Sequence, residues 1–235
     1  MPEIQHPNCY QCNARLKSVF CGLCAEETEL VSASKKFFIY KKGELIFKSG
    51  MRPRGLYCVY NGKIKLTQTN ADGKEQIIHL AKSGDILGYR AILSEDKYSC
   101  SAIAIEDSTL CLIPSGLFTS LVEKNPKLAF EIFRLFSNEL KIAENNITSL
   151  AQKSVKVRLA QSIFLLKGCY GVEKDNCTID ITITREEIAS IVGTSRETVI
   201  RFLSELQKDK VIELNGKKIK IIDYKKLTEA ANIFD

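Results

Sequence analysis

The 235-residue chain has no tryptophan, two methionines, two histidines and five prolines. His6 and His79 stand alone without ligand spacing, and His79 falls in a strand-like pattern that reads as packing. A histidine-rich catalytic metal site of the cupin kind is therefore excluded, and no CxxCH motif for haem attachment occurs. No nucleophile–base arrangement is visible, so the chain is not expected to be an enzyme. No apolar run approaches the roughly 18–20 residues of a membrane span. The segment from Met1 to Asn8 is polar and lacks the charged-then-apolar form of a signal peptide. A cytoplasmic address with no membrane partner is the expectation. A content of 45% hydrophobic and 26% charged residues excludes a disordered or collagen-like chain. The net charge of +6 permits a polyanionic partner without selecting one.

Cysteine is what the chain has in excess. Four of its nine cysteines, Cys9, Cys12, Cys21 and Cys24, fall at the start of the sequence, and no export signal precedes them. An odd count in that context argues against a disulfide framework. The pattern Cys9-x2-Cys12-x8-Cys21-x2-Cys24 places four thiols in a segment too short to bury a core. Such thiols suit zinc or an iron–sulfur cluster, and on spacing alone two CxxC pairs favour structural zinc slightly. Cys58 and Cys100 alternate with apolar neighbours and read as barrel core, while Cys169 and Cys177 flank a polar loop as an incidental pair.

Four stretches follow from pattern: a cysteine-bearing head over 1–34, a glycine-punctuated stretch over 35–124, a long helix over 125–151 and a small domain over 152–235. In the second, Leu56, Cys58 and Tyr60 alternate along one face, Asn61-Gly62 turns the chain, Ile64 and Leu66 resume, and Asp72-Gly73 turns it again. This predicts an antiparallel β-roll or jelly roll. In the third, Ala129, Phe133, Phe136, Leu140, Ala143, Ile147 and Leu150 are spaced alternately by four and three. That seam predicts a two-helix dimer interface, the alternative being a helix packed on its own domain. The overall class is α+β.

The fourth stretch predicts a helix over 155–167, a capped helix over 185–192 (Thr184 with Glu187 as capping box), a turn at Gly193, a helix over 195–208 and a hairpin at Asn215-Gly216. Helix, tight glycine turn, helix is the helix-turn-helix arrangement, whose second helix enters the DNA major groove. Ile188, Ala189, Val192, Val199, Leu203 and Leu206 are placed to pack inward. Ser195, Arg196, Glu197, Thr198 and Arg201 lie on the other face, where arginine suits guanine and glutamate suits cytosine. Thr184, Arg185, Lys217, Lys218 and Lys220 are candidates for phosphate contacts. Residues 151–235 hold 15 Lys/Arg against 12 Asp/Glu, so half of the net charge lies there.

The segment ITREEIASIVGTSRETVIRFLSELQKDKVI resembles the DNA-binding motif of the Crp/Fnr family of bacterial transcription regulators. The order of roll, long helix, helix-turn-helix and hairpin resembles that family across nearly the whole chain. The resemblance implies a homodimer that binds a palindromic promoter site with TGA-type half-sites and contacts RNA polymerase. It places Arg196, Glu197 and Arg201 on the family's base-reading positions. Ile200 stands where Fnr-type members often carry serine, and Arg196 is the residue of catabolite-activator-type members. The family's cyclic-nucleotide binders use a glycine–glutamate and an arginine–small pair, matched here by Gly88-Tyr89 and Tyr98-Ser99, which discounts cyclic AMP as ligand. Fnr-type members hold an oxygen-labile [4Fe-4S] cluster with three head cysteines and one from the end of the roll. EDSTLCLIP resembles that last segment and puts Cys111 on the fourth ligand position, with Cys9, Cys12 and Cys21 as the other three. Cys24 is then surplus, an alternative fourth ligand or the completion of a zinc site; a buried strand cysteine is the alternative at Cys111. By the same resemblance, an intact cluster ties the head to the roll beside the dimer helix, and oxygen or nitric oxide destroys it and releases DNA.

Overall fold

The computed structural model describes residues 8–233; His6 lies outside them. The described residues divide into two compact units, residues 8–73 with 78–139, and residues 74–77 with 140–233.

The first unit begins with short helical turns at Cys9–Gln11 and Val19–Gly22, α1 (Asn13–Leu16) and α2 (Ala25–Ser34). The strands follow: β1 (Lys36–Tyr40), β2 (Leu45–Phe47), β3 (Gly55–Asn61), β4 (Lys63–Thr69), β5 (Glu75–Lys82), β6 (Ile86–Leu87), then α3 (Tyr89–Leu93), β7 (Ser101–Ala104) and β8 (Ser108–Pro114). Two four-stranded sheets result, in the orders β1-β8-β3-β6 and β2-β7-β4-β5. The turn between β3 and β4 needs glycine, because Gly62 has φ +112° and a Cβ there would sit 2.1 Å from Ser108 Oγ.

β3 and β8 are buried on both faces. Tyr57, Val59 and Leu110 join the core that holds Phe47, Ile64 and Ala102. Leu56 and Ile113 face the other way, into a second core with Phe20, Val31, Phe118 and Leu128. Val59 is registered opposite Leu110 and Cys58 opposite Cys111. Since side chains alternate along a strand, Cys58 and Cys111 share the face turned toward the head. The expectation of Cys58 as barrel core is thereby corrected: the face it shares with Leu56 packs beneath the head rather than into the interior of the roll. Cys100 is buried in the core that holds Phe47, as expected.

α4 (Ser115–Lys124) leads into α5 (Pro126–Gln152), whose 27 residues span about 40 Å at the usual rise. Its first half carries two apolar stripes. Leu128 and Ile132 are buried in the first unit, and Phe136 packs edge-on against Tyr89 with centroids 5.3 Å apart. Phe136 therefore serves its own domain, whereas Phe133, Leu140, Ile147 and Leu150 are exposed by 66, 62, 67 and 52%. Ala143 is exposed with them.

The second unit holds α6 (Val155–Tyr170), α7 (Arg185–Val192), α8 (Arg196–Lys208), the hairpin β9 (Ile212–Asn215) with β10 (Lys218–Ile221), and α9 (Tyr224–Ala230). Leu159, Ile163, Ile188, Val199, Leu203 and Leu227 form its fully enclosed interior. α6 extends three residues beyond the sequence expectation, and α9 lacked a sequence signal. Among the described residues no helix is long and apolar enough to cross a membrane.

Candidate functional site

The head folds by small local hydrogen bonds rather than by a core of its own. Asn8 caps the first turn, and Cys12 Sγ accepts from Arg15 N at 3.4 Å. Arg15 donates through Nε to Cys9 O at 2.8 Å and through a terminal nitrogen to Phe20 O at 3.0 Å, so one guanidinium ties two segments together. Glu27 accepts from Cys24 N and from Asn125 Nδ2, which fixes the start of α2. Phe20 is buried and meets Phe118 edge-on.

This arrangement turns Cys9 and Cys12 inward, 5 and 6% exposed, over the strand face that carries Cys111 and Cys58. The four cysteines line one cavity, together with Phe20, Val31, Ile113 and Lys35. Lys35 Nζ donates to Cys9 Sγ at 3.0 Å. Burial pushes the Cys111 thiol up to about 12, with the Lys35 ammonium pulling the other way. Burial also holds the Cys58 thiol well above its ordinary value, Cys111 being the next cause. Cys21 and Cys24 are exposed and lie outside the cavity lining. Among the described residues no three potential ligands are gathered tightly enough around one point for a single ion. The donor set is nonetheless soft, apolar-walled and accompanied by a cation, which fits a thiolate-held iron–sulfur group.

The second unit presents a different surface. Thr184 Oγ1 accepts from Glu187 N at 3.1 Å and Thr184 N donates to Glu187 Oε2 at 2.9 Å, completing the capping box at α7. α7 ends at Gly193, whose φ of +71° makes the left-handed turn that glycine tolerates best. Arg158 donates to the carbonyls of Lys153, Val192 and Gly193 at 2.8, 3.0 and 3.4 Å, so α6 is pinned to this turn. Ser195 caps α8, accepting from Thr198 N at 3.2 Å. Val199, Leu203 and Leu206 anchor the helix inward, leaving Arg196, Glu197, Ile200 and Arg201 exposed along the other side. Arg185 donates to Gly216 O at 3.0 Å, and its partial burial lowers its pKa. Lys218 is paired with Glu173, whereas Lys217 is exposed at the hairpin turn. Of the side chains expected to read bases, Arg196, Glu197 and Arg201 thus share one exposed helix face with Ser195 at its start, while Thr198 is half-buried. Thr184, Arg185 and Lys218 have structural partners of their own.

Residues 37–125 match the cyclic nucleotide-binding domain family and residues 157–230 the Crp-like helix-turn-helix domain family. A fumarate and nitrate reduction regulatory protein of Vibrio cholerae is 34% identical over 194 residues, which cover 82% of this chain and 77% of that one. The chain belongs to the Crp/Fnr family of transcription regulators. The cyclic AMP receptor protein of Thermus thermophilus is 29% identical over 214 residues, 91% of this chain and 96% of that one. A solved Crp/Fnr transcriptional regulator of the same organism superposes with a TM-score of 0.71 at 25% identity, covering 84% of this chain and 98% of that one. These relatives are regulators rather than enzymes, and the helix-turn-helix makes this chain a DNA-binding protein.

A further cavity of the roll is lined by Gly88, Tyr89, Arg90, Tyr98 and Ser99, among others. Tyr98 stacks on Phe47 with centroids 4.0 Å apart, and Arg90 donates to Glu139 at 3.0 Å. The nearest cation therefore already has a carboxylate partner. Sequence reasoning missed Cys58 at the thiol-lined cavity because the alternation of Leu56 and Tyr60 suggested a core strand with one buried face. It also missed Lys35 and Arg158, whose roles rest on contacts 26 and 34 residues away along the chain.

Proposed function

We propose that this Crp/Fnr regulator is Fnr-like: a homodimer that reads a palindromic promoter site through α8 and senses oxygen or nitric oxide through a cysteine-held [4Fe-4S] cluster. One observation carries the reading: Cys9, Cys12 and Cys111, 102 residues apart at the extremes, line a single apolar cavity. When bound, the cluster supplies an oxygen-labile link between the head and β8. The chain's own residues do the rest. Arg15 and Phe20 hold the head over β3 and β8, Lys35 offsets thiolate charge, and Tyr89 with Phe136 connects the roll to the dimer helix.

Exposure of Phe133, Leu140, Ile147 and Leu150 supports a second copy of α5 as the partner of that stripe. A dimer equilibrium biased by a few kcal/mol is enough for a switch. Arg196, Glu197 and Arg201 are the base readers, Lys217 is a phosphate contact, and RNA polymerase is the downstream partner that family membership suggests. Iron, acid-labile sulfide and zinc measured after anaerobic purification of the full chain test the cofactor. Stoichiometric iron with sulfide is the expected result, and zinc with neither contradicts it.

A further inference from the structure

We propose that Ile200 reads a thymine methyl in each half-site, an apolar base contact beside the polar contacts of Arg196, Glu197 and Arg201. The inference rests on the reading of α8 as the groove helix and names the base that its one exposed apolar side chain selects. Ile200 is the fifth residue of α8, within the N-terminal part of a recognition helix that meets base edges. It follows Arg196 by four residues and Glu197 by three, so it borders both on the helix surface. Ile200 is 42% exposed, whereas Val199, Leu203 and Leu206 of the same helix are 0, 1 and 2% exposed. The interior of the second unit is closed without it. A lone apolar residue on an ordinary surface needs no explanation, but this one stands among charged side chains on the face that enters the groove.

The neighbouring hydroxyls are engaged within the helix. Those of Ser195 and Thr198 bond to each other at 3.0 Å, and Ser204 Oγ donates to Ile200 O at 2.8 Å. Two arginines, a glutamate and an isoleucine are left to meet the floor of the groove. In the major groove guanine, adenine and cytosine present only donors and acceptors, and thymine alone adds an apolar group, its C5-methyl. An isoleucine pressed against any other base removes water from a polar edge and returns no hydrogen bond. Against thymine it covers the methyl and its own exposed surface together, and both burials favour binding. The contact therefore selects one base of four by an apolar term that the charged readers do not supply.

The test uses the full chain, held anaerobically, and a pool of DNA duplexes randomised over the length of a palindromic site. Selection and sequencing are run on the unaltered protein, Ile200→Ser, Ile200→Val and Arg201→Ala, with thermal unfolding verifying the fold of each. The unaltered protein and Ile200→Val are expected to enrich thymine at one position of each half-site. Ile200→Ser is expected to lose that preference and to keep those at the other positions. In the selected duplex, deoxyuracil in place of that thymine removes the methyl alone. It is expected to weaken binding by the unaltered protein about fourfold per half-site, and binding by Ile200→Ser by less than about 1.5-fold. 5-Methylcytosine at the same position is expected to bind more tightly than cytosine. The same enrichment in Ile200→Ser as in the unaltered protein overturns the proposal, as does a deoxyuracil duplex bound as tightly as the thymine duplex. A preference lost in Arg201→Ala with none lost in Ile200→Ser overturns the Ile200 assignment and leaves α8 as the reader. No enrichment by the unaltered protein overturns the groove-helix reading and the assignment with it.

Discussion

Replacing Ile147 with glutamate tests whether the exposed stripe of α5 is a dimer interface. The side chain is 67% exposed in the single chain. Fully burying an isoleucine is worth about 1.5–3 kcal/mol, so covering the exposed two thirds contributes roughly 1–2 kcal/mol per copy. A symmetric interface uses the residue twice, and the loss per dimer is about 2–4 kcal/mol before any repulsion between the two carboxylates. At 1.4 kcal/mol per tenfold, the dimer dissociation constant rises about 30- to 700-fold. Sedimentation equilibrium on the cofactor-loaded protein measures this directly. Thermal unfolding serves as the control, because an exposed site changes monomer stability by no more than about 0.5 kcal/mol. A dissociation constant that moves less than about threefold in a folded Ile147→Glu protein refutes the interface and leaves α5 as a helix that serves its own chain alone.

Arg201→Ala is expected to remove about 1–3 kcal/mol of discrimination at one base position, seen as a flattened preference in competition binding with half-site variants; undiminished specificity removes Arg201 from the base readers. Arg158→Ala leaves the carbonyls of Val192 and Gly193 without their donor and is expected to cost about 1–3 kcal/mol in chemical denaturation; a loss under about 0.3 kcal/mol contradicts its role at the turn. Asp175 is held at about 2 chiefly by the Thr178 hydroxyl and N–H, so this support for the 173–178 loop is present above the usual carboxylate range and lost as pH falls through about 2. Proton-detected titration of Thr178 is expected to show a step there that Asp175→Asn abolishes, and a midpoint near 4 in the unaltered protein contradicts it.

The helix-turn-helix was legible because its signals are local. Thr184 and Glu187 are three residues apart, Gly193 sits where only a left-handed residue ends the helix, and the inward positions repeat at helical spacing. The turns at Gly62 and at Gly216 were legible for the same reason. What escaped depends on what lies across the fold. Period-two alternation identifies two faces of β3 but not which is covered, and here both are, so Cys58 was placed in the wrong core. The heptad seam of α5 was visible, yet its neighbour stripe of Leu128 and Ile132 draws Phe136 toward Tyr89, which spacing alone does not separate. The four-cysteine head predicts a soft ligand without showing which thiols turn inward. That choice is made by Phe20, Arg15 and Glu27, residues whose partners lie outside the motif.

The central claim is that the thiol cavity governs DNA reading, and affinity for a palindromic TGA-type duplex before and after air exposure tests it most directly. Fluorescence anisotropy on one anaerobic sample, with the visible absorption followed in parallel, is expected to show tight binding that falls at least tenfold as the chromophore bleaches. Equal affinity in the coloured and bleached protein contradicts the account.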